Sequence, residues 1–111
     1  MIHGFLKACT VSPALRVADC AFNTQQTIAA MQRAAADGAQ LAVFPELGLT
    51  GYTCGDLFLS ALLLDAAETA LTGICAHTQN CDPVVVLGVP LRAGGKLYNC
   101  AAVLHLSLIH I

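Results

Sequence analysis

At 111 residues the chain is one domain at most, or part of one. The set AVILMFWYC makes up 57% of it and charged residues 11%, against roughly 25% charged in an ordinary soluble domain; this excludes disorder, which needs low hydrophobicity and high charge. Five Lys and Arg against seven Asp and Glu leave a net charge of −2, which excludes a basic nucleic-acid binder, and so few charges cannot flank the seam of a coiled coil.

In chain order, residues 5–11 read as a first strand, ended by Ser12-Pro13. After a loop through Arg16 and Asp19, Asn23-Thr24-Gln25-Gln26 has the pattern of a capping box, an N-cap with a glutamine three residues on. Ile28, Met31 and Ala35 follow on one helical face, and Gly38 stands where a left-handed C′ glycine belongs. Leu41-Ala42-Val43-Phe44 is a short continuous apolar run, as in a strand buried on both faces of a parallel sheet. Residues 45–55 are a loop. Residues 56–77 read as a second helix, with Leu64, Ala67, Leu71 and Ile74 inward and Asp65, Glu68 and Thr72 outward. Asp82-Pro83 breaks it, Val84-Val85-Val86-Leu87 is a third strand, and residues 90–104 form a hairpin turning at Ala93-Gly94-Gly95-Lys96. The fold class is therefore α/β: βαβαβ followed by a β-hairpin.

Membrane insertion is not expected. The longest stretch without a charged residue, 97–111, is fifteen residues and carries Asn99, His105 and His110, whereas a spanning helix needs about 18–20. No charged start followed by an apolar stretch marks a signal peptide. Residues 104–111 have no turn signal, cap or charge. One reading is a native terminal strand; the expectation taken here is that 1–105 is the N-terminal part of a larger domain and 106–111 a non-native tail. Twelve charged residues are few to cover a small domain, which also favours a piece of something larger. The six cysteines are 11, 34, 21, 6 and 19 residues apart with no CxxC. They read as free, buried thiols in a reducing compartment, the cytoplasm, and not as a secreted disulfide scaffold.

Glu46 is the leading site candidate. It directly follows a buried strand, and in open α/β sheets functional groups gather beyond the carboxyl ends of strands. Apolar neighbours on both sides would desolvate its carboxylate and raise its pKa toward that of a general base working near neutrality. The plainer alternative is an exposed loop glutamate. Cys54, eight residues on, could be a nucleophile beside it or simply a packed loop cysteine. Cys75-x-His77-x3-Cys81 has the residue types of a metal clip, but positions two apart on a helix point in different directions, so no metal is expected. No glycine-rich phosphate loop is present, and no cofactor is expected in this chain.

Several runs then carry more than pattern. Phe44-Pro45-Glu46-Leu47-Gly48-Leu49-Thr50-Gly51-Tyr52 resembles the glutamate motif of the nitrilase, or carbon–nitrogen hydrolase, superfamily. The continuation Thr53-Cys54-Gly55-Asp56-Leu57-Phe58 is more specific. So are His3-Gly4-Phe5-Leu6-Lys7, Arg16-Val17-Ala18-Asp19-Cys20 with Asn23, and Gly95-Lys96-Leu97-Tyr98-Asn99-Cys100-Ala101. Together they are similar, over residues 3–105, to the N-terminal glutaminase domain of the glutamine-dependent NAD synthetase family. The resemblance implies part of a nitrilase-type α-β-β-α sandwich that hydrolyses glutamine through a cysteine nucleophile, a glutamate base and an oxyanion-stabilising lysine. It further implies ammonia transfer to a C-terminal synthetase domain that uses ATP and Mg²⁺ to amidate nicotinic acid adenine dinucleotide, in a complete protein that is a homo-oligomer. Only the glutamate carries over, onto Glu46. Lys7 and Lys96 stand outside the family's lysine motif, and Cys54 matches a position that is not the nucleophile. A fragment lacking two of the three groups is expected to be inactive alone. Two alternatives stand beside this one: a fragment of a stand-alone nitrilase-type amidase, or a non-catalytic α/β remnant that binds a partner.

Overall fold

The computed structural model describes residues 4–111; of the segment His3-Gly4-Phe5-Leu6-Lys7, His3 lies outside them. Five strands and two α-helices form one sheet with one helical layer. The strands are β1 (Ala8–Thr10), β2 (Leu41–Val43), β3 (Val84–Ala93), β4 (Lys96–His105) and β5 (Leu108–His110), and the helices are α1 (Cys20–Ala36) and α2 (Ala61–His77). The spatial order is β1-β2-β3-β4-β5. The pairs β1–β2 and β2–β3 are parallel, each joined by a helical crossover; β3–β4 and β4–β5 are antiparallel. This is the expected βαβαβ unit with its hairpin, extended by one strand.

Alternation along the strands divides the sheet into two faces. Ala42, Val85, Leu87, Val89, Ala102 and Leu104 are buried on one. They pack with Met31, Ala34, Leu63, Ala67, Leu71 and Ile74 of the helices in a single core cluster. On the other face Leu41, Val43, Val84, Val86 and Val103 are only half-buried. The inward stripe of α2 is the one expected from its spacing, and Asp65, Glu68 and Thr72 are exposed.

Several boundaries differ from the sequence reading. The α1 helix starts at Cys20, because the Asp19 side chain accepts from the Phe22 N–H (3.0 Å) and takes the N-cap role. Asn23 therefore lies inside the helix, on a buried stripe with Cys20, Thr27, Ala30, Met31 and Ala34, while Ile28 and Ala35 sit half-buried at its margin. At the far end the Gly38 N–H bonds Ala35 O and the Ala39 N–H bonds Ala34 O, the paired closure of a Schellman motif. The second helix is divided in two: a 3-10 turn over Gly55–Leu59, then α2, separated by Ser60 in an extended conformation (φ −81°, ψ 124°).

The third strand does not stop at Leu87 but runs through Pro90 to Ala93. The backbone bonds Val84 N–H to Gln40 O, Phe44 N–H to Val86 O and Leu49 N–H to Gly88 O show that even-numbered residues of β3 face β2. Pro90 thus directs its missing N–H to the side of β3 where no strand pairs beyond Val86. The β3–β4 hairpin turns on Gly94 (φ +58°) and Gly95 (φ +76°), the backbone sign that a two-residue I′-type turn demands. A second tight turn, at Leu106 (φ +48°) and Ser107 (φ +67°), folds residues 108–110 back onto β4. Two non-glycine residues adopt that conformation without any turn signal in the sequence. The Ser107 N–H is held by Thr78 Oγ1 at 2.8 Å and its hydroxyl bonds Gln79 Oε1 at 2.9 Å, which offsets the local cost.

Candidate active site

Beyond the carboxyl end of β2, residues 45–50 make a compact turn, and Glu46 sits in it, two residues after Phe44 gives its N–H to Val86 O (2.9 Å). Inside the turn Gly48 N–H bonds Pro45 O (3.2 Å) and Thr50 N–H bonds Leu47 O (3.2 Å), while Thr50 Oγ1 lies 3.0 Å from Gly51 O. Leu47 takes φ +51° at its centre. Pro45, Gly48 and Leu49 line a narrow cleft together with Thr27, Phe44 and Leu87.

Three residues outside the turn fix its position. Gly88 of β3 is the first. A Cβ there would fall 2.2 Å from Leu47 N, 2.6 Å from Pro45 O and 2.8 Å from Glu46 C, so the glutamate's own backbone crosses β3 where only a glycine leaves room. Asn23 is the second: fully buried, it donates from Nδ2 to Leu49 O at 3.0 Å. Ala18 is the third, its N–H bonding Thr50 O at 2.8 Å. Cys54 Sγ donates to Thr50 O at 3.2 Å and Gly51 O at 3.4 Å from a buried position. This is the packed loop cysteine of the two readings.

Glu46 itself is exposed. The apolar cover expected from its neighbours is absent: Leu47 is only half-buried, and Phe44 is buried in the core. Larger clefts lie elsewhere. One of about 600 Å³ opens between the helices at Met31 and His77, and one of about 790 Å³ lies beside the hairpin at Leu91 and Tyr98. Lys7 is far along the chain from the turn and bonds Asp37 O through Nζ. Lys96 sits exposed at the start of β4. In the Cys75, His77, Cys81 set, both thiols are buried and the imidazole is exposed; among the described residues no three His, Cys, Asp or Glu side chains come together to hold a metal ion. Among them, too, no helix is long and apolar enough to cross a membrane.

Sequence reasoning singled out Glu46 but missed Asn23 and Gly88. For Gly88 a signal existed: an isolated glycine in the run Val84-Val85-Val86-Leu87-Gly88-Val89 marks close approach of another backbone. The capping-box pattern puts Asn23 at a helix start, and its polarity on the inward stripe is visible only once the helix start is set at Cys20.

Glu46 thus stands in a tight turn past a parallel strand, its backbone set against a glycine of the next strand. The Carbon-nitrogen hydrolase family matches residues 7–107, and the chain belongs to that family. It is 39% identical over 103 residues to the glutamine-dependent NAD(+) synthetase of Mycobacterium tuberculosis, covering 93% of this chain and 15% of that protein. To the Mycobacterium leprae enzyme of the same name it is 32% identical over 107 residues, covering 96% and 16%. The chain thus spans about 15% of the length of these curated relatives. Among solved structures, a glutamine-dependent NAD(+) synthetase from Cytophaga hutchinsonii superposes with a TM-score of 0.81 at 28% identity, over 94% of this chain and 18% of the other. An amidase of the nitrilase superfamily from Nesterenkonia gives 0.83 at 18% identity, over 96% and 41%, a likeness of fold.

Proposed function

We propose that this chain is the N-terminal part of the glutaminase domain of a glutamine-dependent NAD synthetase, and that Glu46 is its general base. The observation that carries this is the 39% identity over 103 residues to a mycobacterial enzyme of that name. In this reading a cysteine from a later part of the polypeptide gives its thiol proton to the Glu46 carboxylate. The thiolate attacks the glutamine amide carbon, a lysine from the same later part stabilises the oxyanion, and the proton leaves with ammonia as the acyl-enzyme forms. Water then releases glutamate. The synthetase part, with ATP and Mg²⁺, joins the ammonia to nicotinic acid adenine dinucleotide. The complete protein is a cytoplasmic homo-oligomer. The 111-residue chain, with one of the three groups, hydrolyses no glutamine by itself.

The test is Glu46→Gln in the complete polypeptide carrying this segment. The amide keeps the shape and removes the base, so glutamine-driven NAD formation falls by about 10²–10⁴, while ammonia-driven formation persists. If both rates fall together, Glu46 supports folding and is not the base.

A further inference from the structure

We propose that Asn23 is a positioning residue for Glu46, setting the height of the turn above the end of β2; this rests on Glu46 acting as the base. Asn23 has no exposed surface, and every hydrogen-bonding group of its amide is used. Oδ1 accepts from Arg16 N–H at 2.8 Å, and Nδ2 donates to Arg16 O at 2.9 Å and to Leu49 O at 3.0 Å. One side chain on the first turns of α1 therefore clasps two segments at once, the loop entering the helix and the turn that carries Glu46.

The grip on the turn is specific. Leu49 N–H is held by Gly88 O on β3 (3.3 Å) and Leu49 O by Asn23 on α1, so the peptide groups at Leu49 are fixed from both layers. The turn's own bonds, Gly48 to Pro45 and Thr50 to Leu47, transmit that fixed point back to residue 46. Gly88 leaves no freedom on the other side, since the Glu46 peptide already lies against its α-carbon. A buried amide with two donors and one acceptor in use is replaced by no apolar residue without orphaning three backbone groups.

The experiment uses the complete polypeptide, with glutamine-driven and ammonia-driven NAD formation measured on the same preparations. Asn23→Asp keeps an oxygen for Arg16 N–H and removes the donor to Leu49. Asn23→Ser removes that donor with less bulk and no charge. Both variants should lower the glutamine-driven kcat by about 10- to 100-fold with KM within about twofold, since an ångström of misplacement costs about 10² in rate. Ammonia-driven formation should not change. Ile74→Val, fully buried in α2 and remote from the turn in sequence, serves as a control that loosens the core and leaves kcat alone.

A kcat loss no larger than that of Ile74→Val, or a loss carried by KM alone, overturns the proposal. Should Asn23→Asp not fold, Asn23→Ser decides by the same criterion; should neither accumulate folded, Asn23 is a folding residue and the proposal falls. Glu46→Gln run alongside separates the two layers. If it spares the glutamine-driven rate, the base assignment has failed and this inference with it. If it abolishes that rate while the Asn23 variants keep theirs, only the positioning role has failed.

Discussion

Gly88 and Glu46 are 42 residues apart in sequence, yet the placement of one depends on the absence of a side chain in the other. At Gly73, in α2, open space lies where a Cβ would go. At Gly88 the added atom would meet backbone, at 2.2–2.8 Å, and backbone cannot rotate aside. Gly88→Ala should therefore destabilise the protein by about 1–3 kcal/mol, the usual cost of overpacking, read as a lower urea midpoint. In the complete polypeptide it should also depress glutamine-driven activity in the fraction that remains folded. A variant with wild-type midpoint and wild-type activity would show that the turn can lift off β3 freely.

Among the elements, α1 shows how a local signal misleads. Asp19 and Asn23 are both good N-caps, and Asn23 even has Gln26 three residues on. The choice falls to Asp19 because Asn23 finds its partner in Leu49, 26 residues away, a contact no window over the helix can see. The inward face of α2, in contrast, follows its own apolar spacing: Leu64, Ala67, Leu71 and Ile74 are all buried, and Leu63, Ala70 and Cys75 widen the stripe. The ends of these elements also hold the perturbed thiols. Cys20 opens α1, and burial pushes its thiol above the ordinary 9.0, with Cys54 and Asp19 nearby adding to the rise. Cys81 follows the 3-10 turn Thr78–Asn80, and burial together with Asp82 raises it as well. The sign follows directly: native thiols hold their protons to higher pH than unfolded ones, so above about pH 9 the unfolded state binds fewer protons and stability falls as pH rises. Denaturant midpoints measured from pH 7 to 10.5 should be level at first and then decline. The decline should lessen in Cys20→Ala relative to that variant's own neutral value.

For the whole molecule, the sequence told strand from helix and ordered them, because helix and buried strand carry different periods. It also flagged Glu46, since a lone glutamate after an apolar run is conspicuous. It could not tell that the carboxylate would be exposed, because exposure depends on what covers the sheet's edge and open face. That face presents Leu41, Val43, Val84, Val86 and Val103 half-buried, opposite the helices, and β5 leaves a fully exposed strand at one edge. Apolar sheet faces and free edges both drive association. The isolated chain should elute from size-exclusion columns well above its 11.5 kDa mass and bind a hydrophobic dye. A sharp monomer peak with a cooperative thermal melt and no dye binding would contradict this.

The connections of the sheet bear on the order in which it forms. The β3–β4 hairpin closes over two glycines, whereas β1 reaches β2, and β2 reaches β3, only after whole helices have intervened. Contacts between distant residues are slow because loop-closure entropy must be overcome before they form. The sheet should thus assemble from the hairpin outward, with β2 and β1 adding last. Pulse-labelled hydrogen exchange during refolding would then protect the Leu87 and Val89 amides, which face β4, before those of Phe44 and Val11; simultaneous protection would refute the sequence of events. Because Glu46 follows β2, its turn can settle against Gly88 only once β2 has joined, so Glu46 would be among the last parts of this chain to reach its place.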